Sequence, residues 1–399
     1  MITELRKAYN AAFTNEKYEA FLNHIYGLYD HKPNFRISET PVFIPDDFRD
    51  KLVHACEDIA DVISRPDFKA MTEGAIMPAH RVPNEDAHCT FLVVDFGICE
   101  EGGQLVPKLI ELQGFPSLYF FQQDLADTYK MHFDLPESMT PLFAGLNTEG
   151  YYDLLKDIMV GDSKPENVVL LEVEPEKQNT QIDFWATAKR LGIKVLCLTK
   201  VIKLGRQLFY ENEKGEQIRI EKIYNRVIFD ELERRPDLTF GFKFTDDLDV
   251  EWIGHPNWFF RISKYTMPFF KSAFVPKTYF LNEINVSTLD LTQFVLKPLF
   301  SFSGQGVKIN VTQADIDEVV DKTNWILQEK VHYAPALDTP SGPTKIEIRM
   351  LMVWKKEWTR PLLVNNLIRL SKGEMIGVRY NKDKDWVGAS VGLFNPIQI

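Results

Sequence analysis

Histidine and cysteine are scarce in this 399-residue chain, at eight and four residues. The cysteines, at 56, 89, 99 and 197, form no CxxC pair and show no metal-like spacing with histidine. That excludes a zinc ribbon and a disulfide framework and predicts reduced, packing thiols. No apolar run reaches the ~18 residues a membrane helix needs. The opening MITELRKAYNAAF lacks the apolar centre of a signal peptide, so a cytoplasmic protein is expected. The formal charge is −11 and no stretch is strongly basic. Nucleic acid is therefore not an expected partner, because backbone phosphates are bound by clustered Lys and Arg. A small anion is still open, since a few local cations can hold it. What is present is a composition of 45% hydrophobic and 26% charged residues, that of a folded globular chain. The length suits roughly two or three domains.

Residues 1–80 read as mainly helical. LRKAYNAAFTNEKYEAFLNHIYGLY and DDFRDKLVHACEDIADVISRPDF space apolar residues three and four apart, and the DD pair marks a helix start. HKPNFRISETPVFIP between them reads as a loop. From Cys89 the period becomes two: CTFLVVDFGI and LVPKLIELQG predict a hairpin around EEGGQ. VVLLEVEP, QIDFWATAKRLG and IKVLCLT predict strand, helix and strand, a βαβ unit with a parallel sheet. LFYENEKGEQIRI predicts another hairpin, and IYNRVIFDEL a further strand. A compositional shift at GHPNWFF divides residues 81–255 from 256–399. In that last part, RISKYTMPFFKSAFVP predicts a helix ending at Val275-Pro276, and FVLKPLFSFSGQGVKINV predicts two strands. ADIDEVVDKT predicts a helix and WILQEKV a strand; KIEIRMLMVW, PLLVNNLIRLS and MIGVRY predict an antiparallel set. The fold class is α/β, becoming α+β toward the C-terminus.

The stretch VLKPLFSFSGQGVKI sets Lys297 at the end of one apolar run and Ser301, Ser303, Gly304, Gln305 and Gly306 before the next. Glycines permit positive φ and leave no Cβ in the way of a ligand. The pattern suits a loop closing over phosphates with a lysine aimed at their charge; an ordinary glycine hairpin with a surface lysine suits it as well.

Residues 261–399 resemble an ATP-grasp domain. SK at 263–264, VPKT at 275–278, VLKP at 295–298, GQG at 304–306, LQEKV at 327–331 and IEIRM at 346–350 follow that family's order. The family's metal carboxylates, often closing in Glu-x-Asn, do not follow these strands. VVDFG at 93–97 and KLIELQGFPSLYFF at 108–121 resemble them upstream, as in circularly permuted ATP-grasp proteins of the glutathionylspermidine synthase type. The resemblance implies a permuted ATP-grasp fold, preceded by a helical segment and a βαβ layer. Two positions depart from it: Val93 stands where the family commonly has arginine, and Gln113 where it commonly has asparagine.

On this resemblance ATP and Mg²⁺ are the implied cofactors. Lys297 and Lys264 would contact phosphates. Gln328, Glu329 and Val331 would flank adenine and ribose, and Asp95, Glu111, Gln113 and Asn381 would serve the metal. Glu111 and Gln113, two apart on a strand, face one side, as a shared ion requires; a solvated polar stripe gives the same spacing. Lys264 reads equally as a solvated helix lysine and Glu329 as an exposed strand residue. Arg349 shares a strand face with Glu347 and could meet a γ-phosphate or a substrate carboxylate, or be a paired structural arginine. Arg226 and Arg369 are weaker candidates of the same kind. The implied activity is ligation of a small-molecule or peptide carboxylate to an amine through an acyl phosphate, which asks the protein for positioning and charge neutralisation and no nucleophile. A degenerate relative that binds nucleotide or a partner without ligation, and a phosphotransferase on the same scaffold, are the other readings.

Overall fold

The structure, a computed structural model, describes residues 1–300, 305–373, 381 and 383–397. Twelve strands carry the argument. They are β1 Phe91–Glu101, β2 Gln104–Gln113, β3 Val168–Glu172, β4 Lys194–Cys197, β5 Lys222–Asn225, β6 Glu251–Ile253, β7 Thr278–Phe280, β8 Phe294–Pro298, β9 Trp325–Glu329, β10 Lys345–Val353, β11 Leu362–Ser371 and β12 Gly388–Ser390. The predicted hairpin forms: β1 and β2 pair antiparallel across Gly102-Gly103, whose positive φ values of 59° and 78° suit a two-residue turn.

That hairpin does not stay with its sequence neighbours. Strand β1 pairs along β10, which lies about 250 residues later, so one antiparallel sheet runs β12-β11-β10-β1-β2. Alternation gives each of its strands two different faces. One face, with Val94, Phe96, Ile348, Met350 and Met352, packs on the helix Asp46–Ile63. That helix has acidic residues in its first turn, complementing its dipole, and buries Phe48, Leu52, Ala55, Cys56, Ile59 and Ile63. The opposite face, with Phe91, Val93, Leu351 and Val353, packs under the helix Tyr119–His132 at one end and is left for the site at the other.

The βαβ unit forms as predicted, its helix Gln181–Leu191 stopping at Gly192, within an all-parallel sheet ordered β6-β5-β3-β4. A third sheet, β7-β9-β8, carries Lys297. The early residues form two helices, Thr3–Ala12 and Asn15–Tyr29, divided where the Thr14 hydroxyl caps the second. The short strand Val42–Phe43, predicted as loop, pairs with Gly392–Leu393 near the other terminus.

Several expectations are corrected. The strand predicted at IYNRVIFDEL ends at Asn225, and Phe229–Glu233 is helical. The long helix predicted from Arg261 is a short helix Asn257–Arg261 and a 3-10 turn Lys264–Phe269 restarted by a Ser263 capping box. Pro268 inside that turn lacks the N–H a continuous helix needs. The second strand expected after the glycines is a single bridge, Lys308 to Leu296. The helix at ADIDEVVDKT spans only Gln313–Asp317. MIGVRY lies outside the described residues. All four cysteines are unpaired. No helix among the described residues is long and apolar enough to cross a membrane.

Candidate functional site

Strand register assembles a polar patch on the open end of the five-stranded sheet. Arg349 lies opposite Asp95, and Asp95 opposite Glu111. On the next rung Arg369 lies opposite Glu347, and Glu347 opposite Gly97. On the rung before, Leu351 lies opposite Val93, and Val93 opposite Gln113. Paired residues share a face, so these side chains project together.

The patch is an ion network. Arg349 grips Asp95 with both arms of its fork, Nε to Oδ1 and Nη2 to Oδ2, each at 2.7 Å. Arg369 Nη2 also donates to Asp95 Oδ2 and pairs with Glu347. The Tyr333 hydroxyl donates to the other oxygen of Glu347 at 2.8 Å. Burial alone would raise the Asp95 pKa; the charges of Arg349 and Arg369 outweigh it and hold the carboxyl below its usual range. Glu347 goes the other way. Its burial, together with the nearby charges of Asp95 and Glu111, raises it despite Arg369.

Beside the network lies a cleft lined by Glu111, Gln113, Phe115, Arg226, Lys264 and Arg349 among others. It encloses about 150 Å³, below the ~300–1,000 Å³ of typical ligand pockets. Lys297 reaches this region from the third sheet. Its ammonium donates to the Gln328 side-chain oxygen and, at 3.4 Å, to the carbonyl of Ile110, next to Glu111. Burial, helped by Lys264, pushes its pKa down to about 8, against the pull of Glu111 and Glu347. Gln328 is 1% exposed, and its Nε2 has no partner among the described residues.

The remaining predicted residues fall in several places. Arg226 lines the cleft, but its Nη1 is held by the Phe115 and Pro116 carbonyls at 3.1 and 2.7 Å. Gly306, at φ +73°, lies beside Pro298, which follows Lys297, and Gln305 precedes it in an exposed turn; Ser303 and Gly304 lie outside the described residues. The Glu329 carboxylate accepts from the Lys277 N–H at 3.1 Å. The N–H groups of Glu329 and Lys330 donate to Lys277 and Gln293 carbonyls, and Val331 follows these two bonds, past the end of β9. Asn381 is turned to Ser371, Lys372 and Gly373, and the cleft is lined without it.

The four expected metal residues are thus not gathered as a set. Both Asp95 oxygens are engaged by arginine, and Gln113 donates its amide to Glu111 at 2.8 Å. Among the described residues no group of three His, Cys, Asp or Glu side chains is disposed to hold a metal. The donor set does not fit the expected ion. Glu347 is not among the residues expected to function, although a carboxylate between the buried Ile346 and Ile348 is a signal. Nothing in the sequence singles out Tyr333. A separate hollow of about 290 Å³, lined by Leu5, Ala8, Phe43, Phe133 and Leu135 among others, holds none of the predicted residues.

No family model matches the sequence, and no curated protein matches it. Among solved structures, the chain is similar to a glutathione synthetase-like effector from Globodera pallida in its apo form. The TM-score is 0.54 at 10% sequence identity, over 90% of each chain. A likeness at that identity speaks for architecture alone: the chain has a mixed α/β fold like that of this glutathione synthetase-like protein.

Proposed function

We propose that the cleft binds ATP and that the protein is an ADP-forming carboxylate–amine ligase on a circularly permuted ATP-grasp scaffold. The observation that carries this is the meeting of two arms remote in sequence. Lys297, beside the glycine loop, donates to the strand that bears Glu111, and Lys264 lines the same cleft. The order of elements supports the permutation, because the hairpin of Asp95 and Glu111 precedes the lysine strand yet pairs with β10 beyond it.

In this reading Lys297 and Lys264 take the phosphates, and each charge-assisted contact contributes about 1.5–3 kcal/mol. Val331 offers backbone to the base. The γ-phosphoryl group passes to a substrate carboxylate as ADP leaves; the amine then attacks the acyl carbon, loses a proton and expels phosphate. Positioning and charge neutralisation supply such catalysis, which matches a cleft rich in cations and free of a nucleophile motif. No step is routed through a metal.

A second reading, nucleotide binding without ligation, is favoured by one observation: Asp95 is spent on arginines and Val93, 0% exposed, is part of the core. Calorimetry with ATP on the wild type, Lys297→Ala and Glu111→Gln, together with ADP release in carboxylate–amine mixtures, separates the two. A ligase loses ATP affinity about 10-fold or more in Lys297→Ala and loses ADP release in both variants. If neither substitution alters ATP binding or turnover, the ligase reading fails.

A further inference from the structure

We infer that Asp95 is a positioning residue that fixes Arg349 on the cleft floor and Arg369 behind it, and that it ligates no divalent cation. The inference rests on the ATP-binding reading of this cleft and departs from the metal corner which the family resemblance implies.

Three observations support it. The first is occupancy. Oδ2 of Asp95 accepts from both arginines and Oδ1 accepts from Arg349 Nε. One lone pair is left, on a residue with 0% exposure. The second is charge. A divalent ion at that lone pair would stand beside two guanidinium groups, and like charges at contact distance exclude it. Asp95 and Glu347 face Arg349 and Arg369, two charges against two. A cation site carries surplus negative charge, whereas this network is already balanced. The third is geometry. The in-plane fork of Arg349 on Asp95 fixes the guanidinium in direction as well as place, and Arg349 lines the cleft. The neighbouring Glu347 is held by Arg369 and Tyr333 in the same way.

The test uses the full chain and Mn²⁺ as probe, read as free ion by electron paramagnetic resonance. Without nucleotide, Asp95→Asn should leave Mn²⁺ affinity within twofold of the wild type. Arg349→Gln, which frees the carboxylate beside Glu111, should tighten Mn²⁺ binding at least fivefold, and the double variant Arg349→Gln/Asp95→Asn should abolish the gain. Arg369→Gln, at the more exposed guanidinium, should give a smaller gain in the same direction. A gain that came from misfolding would persist in the double variant, so its loss there assigns the gain to Asp95. Tenfold weaker Mn²⁺ binding in Asp95→Asn, or no gain in either arginine variant, overturns the inference. Failure of the wild type to bind ATP would instead overturn the nucleotide reading, while these nucleotide-free measurements still decide the role of Asp95.

Discussion

Lys297→Met should make the protein more stable at neutral pH than its lost hydrogen bonds allow for, and the advantage should fade as pH rises. The lysine titrates near 8 in the fold, against 10.5 for an ordinary lysine, chiefly because it is buried, with Lys264 adding to the shift and Glu111 and Glu347 opposing it. A folded value below the unfolded one means that the unfolded chain binds more protons between those two pH values. Wild-type stability therefore rises with pH across that window. At about 1.4 kcal/mol per pKa unit, the charged lysine costs the fold roughly 3 kcal/mol at pH 7 and roughly 1 kcal/mol at pH 10. Methionine carries no such cost. It does leave Gln328 Oε1 and the Ile110 carbonyl without their donor, a loss of about 1–3 kcal/mol that does not vary with pH. The change in the difference between the two proteins, about 2 kcal/mol from pH 7 to pH 10, isolates the buried charge. Urea unfolding of both proteins at the two pH values measures it. A difference that stays constant would mean that the ammonium is solvated in the fold and would refute the burial of this charge.

Gly306→Ala should cost about 1–2 kcal/mol through its left-handed backbone and crowd Pro298, which a Cβ would approach to 3.0 Å; ATP affinity measured by calorimetry should fall while the melting temperature shifts by only a few degrees. Gly97→Ala places a Cβ 2.7 Å from the Tyr333 ring and should lower urea stability by about 1–3 kcal/mol. Tyr333→Phe, which removes the hydroxyl from Glu347, should cost a similar ~1–3 kcal/mol; wild-type stability in Gly97→Ala would mean that the ring does not lie over this strand.

Local pattern was enough for much of the molecule. The alternation in FLVVDFGI and KLIELQ, with two glycines between the runs, specifies a hairpin whatever it later packs against, because turn geometry and side-chain period are short-range properties. The βαβ unit is legible for the same reason, as is the placing of Glu111 and Gln113 on one face. Errors fell where local signals compete. Between Arg261 and Val275, apolar spacing suggests a helix, but Pro268 and the Ser263 cap cut it short.

Which strand lies beside which was decided only in three dimensions. Asp95 reads as a candidate metal carboxylate from its motif, and Arg349 as a phosphate contact from its type. The pairing of β1 with β10 sets them directly opposite, so each becomes the other's partner. Sequence determines the chemistry a side chain can offer and the face it takes on its own strand. Tertiary register determines which charges meet, and in a buried site with low dielectric that meeting outweighs what either residue would do alone.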